Sequence, residues 1–525
     1  MPLSLELAYL FLQWHLHDGK PSRYASLLSL LNIWLWDAKE MDNFPHMHAD
    51  KLLAWTKSED RQVRAMAWSG IVLMLIRHGY NMPQKFIDDA MLLSTDATLK
   101  AELVEMQKYF FTSIVGLKTQ KQIQHDIFDK MQKEQMKIRE KMGMADDEEQ
   151  RMEIAEEGNK NMHFYVEKLN KMAQDGIDMN LGTFASLSKL EIFSKLQPWL
   201  ADFDIDNPAL SDLGDAKSLA NAIFGHAELC DIDKYALSCA INKITSIEAM
   251  KKQIPQQILD VNDERLVQMR QAEREHNAYR YAFQTLLRFF MFSPWHHTTI
   301  NPFNLTPYFT EVPILLPFID DNFLLETSRL FLRHANYIHA ATYLRSWMHR
   351  NGQTEETLRM LAQCDKHLGE NTERLQCLME LEKSNPDDMY IVQETGLCLI
   401  NEKRYDEALK RFFHLEVKET SPRSSARAIA WCSMMTGNIT RAQRYYQKLL
   451  DWQGGPSWED LLNAGHCAWI NGDPIQASAL YNRYIALHQD SLTAFDNDYD
   501  TLIYLGVSEE DICLMRETII THKTQ

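Results

Sequence analysis

No stretch of this chain is apolar for long enough to cross a bilayer. The most apolar internal run, "MAWSGIVLMLI" (Met66–Ile76), falls well short of the ~20 residues a spanning helix needs. The opening "MPLSLELAYLFLQWHLHDGK" lacks a basic start and a small-residue cleavage site. It also carries Glu6, His15, His17 and Asp18, so it does not read as a secretory signal. Positive charge is the scarcer sign, with 55 Lys+Arg against 73 Asp+Glu and a net charge of −18. Phosphate contact needs a basic surface, so the balance argues against a nucleic-acid binder. Cysteines number only eight and are scattered, without the close pairs of a zinc site. These absences describe a reduced, soluble, cytoplasmic protein with no membrane insertion.

Catalytic signatures are missing as well. There is no phosphate-cradling Gly-Lys-Ser/Thr loop, dinucleotide glycine fingerprint, Gly-x-Ser-x-Gly elbow or His-Glu-x-x-His helix. His15/His17 and His46/His48 are two apart, which on a helix turns them to different faces. His296–His297 has no further ligands nearby at metal spacing. The expectation is no catalytic residue, no metal and no cofactor. Turn-separated alternating runs are scarce too, which excludes a mainly β fold.

What is present is helical periodicity in quantity. Over 525 residues, 45% are apolar and 24% charged, enough for a large core and too long for one ordinary domain. Methionine is frequent, at 26 residues, and suits gap-filling between packed helices. In "KRYDEALKRFF", Tyr405, Ala408 and Phe412 share one helix face. The same features return 34 residues later in "GNITRAQRYYQKLL". Ala408, Ala442 and Ala477 mark three copies. Each has a small residue twelve positions earlier (Gly396, Ala430, Gly465) and an aromatic four positions later (Phe412, Tyr446, Tyr481). Gly437 and Gly472 stand five before the alanine, where two helices must turn. Two degraded copies precede these. One keeps Ala362, Gly369 and Leu378 but has Arg374 in place of the alanine. The other has Ser328, Tyr337, Ala340 and Leu344.

A 34-residue helix–turn–helix unit of this pattern resembles the tetratricopeptide repeat, over roughly 321–489. Small residues let the two helices of a unit approach, and the aromatics are expected to fill the gap between units. Val392, Ala426 and Leu461 stand where the family often has a large aromatic, and Arg374 departs from the pattern. Cys364, Cys398, Cys432 and Cys467 keep the same register. Stacked units lie roughly 10 Å apart, too far for direct disulfides, so these thiols are expected as small buried hydrophobes. Beyond the array, "DTLIYLG" and a helix opened by Ser508, three before Asp511, are expected to cap it.

Upstream, "LELAYLFLQWHL" and "YASLLSLLNIWLWDA" predict two buried helices. "DRQVRAMAWSGIVLMLIRHG", with Asp60, Val63–Arg64 and Ala67, is similar to the second helix of a HEAT repeat. Between 119 and 161 the chain is charged, with Ile123, Ile127 and Met131 predicting a long, lightly packed helix and "GMADDEEQ" an exposed break. "LEIFSKLQPWLADFDIDNP" and "LLRFFMFSPWHHTTINP" echo one another, each with Pro-Trp followed by Asn-Pro. A duplicated helical module and a coincidence of helix ends both fit.

The organisation expected is an all-α solenoid in five parts. They are an irregular helical array (1–118), a charged helix or linker (119–160), a middle helical region (161–320), a tetratricopeptide array (321–490) and capping helices (491–525). The resemblance implies a concave groove lined by the first helix of each unit, where family members take a partner's segment. Its positions here are Arg359, Gln363, His367, Gln393, Leu397, Ile400, Asn401, Arg427, Trp431, Met434, Met435, His466, Trp469 and Ile470. Arg359 and Arg427 lack the Asn and Lys of the carboxylate clamp some members use, so no clamp is expected. Aromatic and Met side chains toward the C-terminus suit an apolar segment of a protein or peptide partner. The function expected is a non-catalytic interaction scaffold or adaptor. Two other readings stay open: an enzyme or enzyme-regulatory subunit with a buried, pKa-shifted site in the middle region, and a nucleic-acid-binding regulator using a local basic patch.

Overall fold

The computed structural model describes residues 2–17, 19–123, 125, 127, 129–144, 163–224, 227–241, 264–488 and 491–524. Every regular element among the described residues is helical. The chain divides into two compact units, Met1–Leu330 and Phe331–Gln525.

The first unit is built around one helix. Its leading elements are α1 (Leu3–His17), α2 (Arg23–Trp34), α3 (His46–Trp55), α4 (Arg61–His78) and α5 (Ala97–Ile123). Asp60 starts α4 by accepting the backbone N–H groups of Gln62 at 2.8 Å and Val63 at 3.3 Å. From Ala65 to Leu75 every residue is buried. A helix that is apolar all round is a core helix. Helices α2 and α3 pack on it, and a Cβ at Gly70 would sit 3.0 Å from Leu30. Further on come α6 (Asp231–Ile241) and α7 (Ala278–Phe292), the latter packed on both α4 and α5.

Two expectations change in this unit. Helix α1 is only half buried: Leu3, Leu7, Phe11 and Trp14 face inward, while Leu5, Tyr9, Leu12 and Leu16 are exposed. Of the charged stretch, helix is described up to Ile123 and over Asp129–Met144, and much of the rest lies outside the described residues. Ile127 is buried and Met131 half buried, and most of "GMADDEEQ" lies outside the described residues. The two Pro-Trp stretches share only their ends. Asn207 and Asn301 each accept a backbone N–H two residues on, opening a 3-10 turn at the following proline. Before them the chain differs: Phe193 lies in a 3-10 turn, whereas Phe289 lies deep in α7. Trp199 is fully buried and Trp295 is not.

The second unit repeats helix pairs. After α8 (Tyr337–Asn351) come α9 (Glu355–Leu368) with α10 (Asn371–Ser384), and α11 (Met389–Asn401) with α12 (Tyr405–Val417). Then follow α13 (Pro422–Met435) with α14 (Ile439–Leu450), and α15 (Trp458–Ile470) with α16 (Pro474–Leu487). Each first helix packs on its partner, and each second helix packs on the first helix of the next pair. Ala340, Ala408, Ala442 and Ala477 are fully buried. Two of the aromatics also press on the small residue of their own unit. A Cβ on Gly396 would lie 2.8 Å from the Phe412 ring, and one on Gly465 would clash with Tyr481. Glycine there lets a first helix sit against its second helix with a ring between them.

The turn position is more regular in the backbone than in the sequence. Five residues before each register position the chain is left-handed: Ala335 (φ 55°), Gly369 (76°), Lys403 (58°), Gly437 (75°) and Gly472 (82°). Arg374 does not loosen its unit. Its buried guanidinium pairs with Glu394 of α11, so an ion pair replaces the alanine contact. Cys364, Cys398, Cys432 and Cys467 are buried and free, and burial pushes the thiols of Cys364, Cys432 and Cys467 up to about 12. The helix Tyr499–Tyr504 and α18 (Glu509–Thr524), with a short α17 (Ser491–Asp496) before them, follow the array. Ser508 Oγ accepts the Asp511 N–H at 3.1 Å, and Ile512, Met515 and Ile519 are buried as α18 packs on α16.

Candidate functional site

The first helices α9, α11, α13 and α15 present side chains to a common face, and two hollows open on it. The first, of about 540 Å³, lies between α9, α10 and α11 and is lined in part by Arg359, Gln363, Lys366, His367, Tyr390 and Glu394. Its cations are already matched. Arg359 reaches Glu355 at 2.9 Å and Asp388 at 2.8 Å. Lys366 lies 3.1 Å from Glu394, which Arg374 also holds. Asp388 is the cap of α11, accepting the Tyr390 N–H at 3.1 Å, and the Arg359 hydrogen bond holds its carboxyl below the usual range. Arg359 therefore ties one helix pair to the cap of the next.

Arg427 does the same one step on. Its Nε donates to Asp460 Oδ1 at 2.6 Å and its Nη2 to Asp460 Oδ2 at 2.9 Å. Asp460 forms a capping box with Ser457 at the start of α15. Burial works against the Asp460 charge, but the bonds from Arg427 and Ser457 overcome it and hold the carboxyl down at about 2.

The second hollow, of about 560 Å³, crosses three first helices and is lined mainly by apolar surface, with Ser424, Glu459 and Asn463 among its polar lining residues. Leu397 and Ile400 come from α11, Arg427, Ala428 and Trp431 from α13, and Trp458 and Leu462 from α15. Ala494, Asn497 and Asp498 close its far end. The Trp458 ring is braced by His488, stacked at 4.2 Å and 11°.

The fourteen groove positions separate into four groups. Arg359, Gln363 and His367 line the first hollow, and Leu397, Ile400, Arg427 and Trp431 the second. Gln393, Met435, Trp469 and Ile470 are half buried and Asn401 is exposed, outside both hollows. Met434 and His466 are not available as surface. Met434 is 0% exposed and His466 1%. The His466 ring packs against Phe495 of α17, with Nδ1 2.9 Å from the Tyr481 hydroxyl and Nε2 3.3 Å from Asp498. The chain's own helix covers this end of the face. Trp458 and Leu462 were missed, although Leu462 lies one repeat step beyond Arg427.

In the first unit the titratable groups cluster differently. Arg288 donates to Asp178 at 2.6 Å and to Asp233 at 2.5 Å, and the three side chains are 0%, 4% and 3% exposed. Burial opposes the Arg288 charge, and the two carboxylates outweigh it. Nearby, Arg23 bridges Asp202 at 2.7 Å and Asp231 at 2.9 Å. Arg64 and Tyr279 meet on Glu102, at 2.8 and 2.7 Å. The Arg288 group is sealed from solvent and joins helices. Among the described residues no His, Cys, Asp and Glu group has metal-site geometry, and no helix is long and apolar enough to cross a membrane.

No family model and no curated protein matches the sequence. Solved structures with a similar course include MamA (41 to end) from Desulfovibrio magneticus RS-1. It is 16% identical, over 32% of this chain and 94% of that one, at a TM-score of 0.29. A tetratricopeptide repeat protein from Parabacteroides merdae is 18% identical over 38% and 84%, at 0.28. Yeast Tom70 is 12% identical over 99% and 96%, at 0.26. These overlaps are loose. The tetratricopeptide character of the second unit rests on its own helix pairs, small-to-aromatic contacts and left-handed turns.

Proposed function

We propose that this chain is a non-catalytic, cytoplasmic interaction scaffold. It holds an apolar segment of a partner protein along the first-helix face between Arg359 and Ile470. The observation that supports this is the hollow of about 560 Å³ bounded by Leu397, Ile400, Trp431, Trp458 and Leu462. Three successive helices contribute aromatic and aliphatic side chains to one concavity, and large side chains of this kind carry most of the energy in interfaces. Arg427 beside it already pairs within the array, so it fixes the spacing of the helices and leaves recognition to the apolar side chains.

The test is affinity capture from native cytoplasm with the intact chain and with a Leu397→Ala/Trp431→Ala variant, followed by quantitative mass spectrometry. A partner of this face should drop about tenfold or more in the variant, while helicity and melting temperature stay near wild type. Equal capture by both chains would sink the proposal. A captured partner that responds instead to substitutions in the first unit would move the function there.

A further inference from the structure

Helix α1 has two apolar faces, and the fold uses one of them. Leu3, Leu7, Phe11 and Trp14 turn inward, where α1 packs on α2, Phe11 meets His48, and Trp14 meets Trp55 of α3 edge-on at 5.8 Å. Leu5, Tyr9, Leu12 and Leu16 lie on the opposite side and are 57%, 56%, 54% and 74% exposed. Single exposed apolar side chains are ordinary on a protein surface. An unbroken row of four large ones along one helix is a patch, and such patches mark interaction surfaces. The polar end of the row is already matched, since the Tyr9 hydroxyl accepts Gln13 Nε2 at 2.7 Å.

The row runs in steps of four, three and four, the spacing of a knobs-into-holes seam. Such a row meets its own inverted copy layer for layer. Leu5 of one copy faces Leu16 of the other, and Tyr9 faces Leu12. Glu6 and Gln13 border the row on one side, Ala8 and His15 on the other. Antiparallel pairing sets Glu6 against Gln13 and Ala8 against His15, so no two carboxylates meet. It also places each helix N-terminus beside the other's C-terminus, which suits the two dipoles. A lipid surface is the poorer occupant. Helices that lie in the membrane plane carry Lys and Arg on their polar side, and α1 has neither along its length. The chain's charge of −18 would also be repelled by anionic headgroups.

We propose that this chain forms a weak, reversible dimer through α1, two copies pairing antiparallel along Leu5, Tyr9, Leu12 and Leu16. The helix has 15 residues and is ~22 Å long. A seam of that length buries less than the ~1,200 Å² at which standard interfaces begin, so half-association is expected at roughly 10–100 µM. The pairing is independent of the groove in the second unit.

The test is sedimentation equilibrium of the full chain from about 1 to about 200 µM. The weight-average mass should climb from that of one chain toward that of two. It should climb at lower protein concentration in about 0.5 M salt than in about 0.05 M, because salt screens the repulsion of two acidic bodies and leaves an apolar seam intact. Leu12→Glu should raise the half-association concentration about tenfold or more. Its side chain is half in solvent, so helicity and melting of the dilute chain should stay at wild type. Leu16→Glu, at the most exposed position of the row, gives the same readout if Leu12→Glu unfolds. Tyr9→Lys should also weaken the dimer. An equimolar mixture of Tyr9→Lys and Leu12→Glu chains should associate more tightly than either alone, since antiparallel pairing sets position 12 of one copy against position 9 of the other. A single-chain mass across the range, equal association of wild type and both glutamate variants, or a mixture no tighter than its components would each overturn the proposal. So would a chain that stays single in solution and floats with phosphatidylcholine vesicles until Leu12→Glu releases it, which would make α1 a lipid-facing helix.

Discussion

In the first unit the buried side-chain hydrogen bonds and ion pairs join residues far apart in the chain, whereas in the second the contacts recur at a fixed step. Arg288 reaches back 110 residues to Asp178, Tyr279 reaches 177 to Glu102, and Arg23 reaches 179 forward to Asp202. The array makes its contacts between neighbours: Gly396 with Phe412, Gly465 with Tyr481, Arg427 with Asp460. The difference teaches where each unit is vulnerable. Buried charge is strongly destabilising when one partner is lost, because the other stays behind unsolvated. A repeat loses one interface at a time, and its stability is close to a sum over neighbours.

The largest effect therefore belongs to the first unit. Arg288→Met leaves Asp178 and Asp233 buried without their cation and should cost roughly 3–5 kcal/mol. Urea denaturation followed by tryptophan fluorescence would show an early transition. Replacing the two aspartates as well, in Asp178→Leu/Asp233→Leu/Arg288→Met, should recover most of the loss. If the single variant costs under about 1 kcal/mol, the cluster is not what holds these helices.

Next comes the array's closest contact. Gly465→Ala drives a methyl into the Tyr481 ring and should cost about 2–3 kcal/mol by overpacking. A second change, Tyr481→Leu, should return part of that in a double-mutant cycle. Additive losses would mean that helix α15 shifts bodily, and that the small residue is not matched to its ring.

Legibility follows the same division. The repeat could be read because its signal is local: a small residue, an alanine and an aromatic at fixed offsets report one helix–helix contact directly. The left-handed turn was read only where glycine marks it. Lys403 and Ala335 adopt the same backbone with no sequence sign, because the surrounding helix pair imposes it. Arg374 looked like damage to the pattern. Its partner Glu394 is in the next unit, and nothing in the spacing announces an ion pair in place of a methyl contact. On the candidate face, Leu397, Ile400, Arg427 and Trp431, which the register named, lie along one hollow. The register could not show that Phe495 covers His466, since α17 lies outside the repeat. In the first unit periodicity gave helices but not their partners. Alternative pairings of Arg288 with many acidic residues look alike in a one-dimensional sequence.

Acid offers a milder probe of the array. Asp460 is ionised in the folded chain down to about pH 2, below its ordinary value near 4. A depressed carboxyl contributes stability that is complete above pH 4 and lost as pH falls toward 2. Asp460→Asn should thus cost about 2 kcal/mol at pH 7 and little at pH 2, a convergence readable from thermal melts at the two pH values. A constant gap across that range would mean that the loss does not come from the carboxylate charge.

The smallest effect bears on the turns. At Lys403 an L side chain sits at φ 58°, a conformation that costs such residues roughly 1–2 kcal/mol. Glycine removes that strain but gives up about 0.5–1 kcal/mol through the freedom of its unfolded chain. The balance favours Lys403→Gly by about 0.5 kcal/mol. The mirror change, Gly437→Ala at φ 75°, adds the strain and should lower stability by about 1 kcal/mol. Opposite shifts in melting temperature at two equivalent turns would show that the fold sets the backbone there and the residue only adapts to it. Equal signs would mean that the Lys403 side chain makes a contact worth more than its strain.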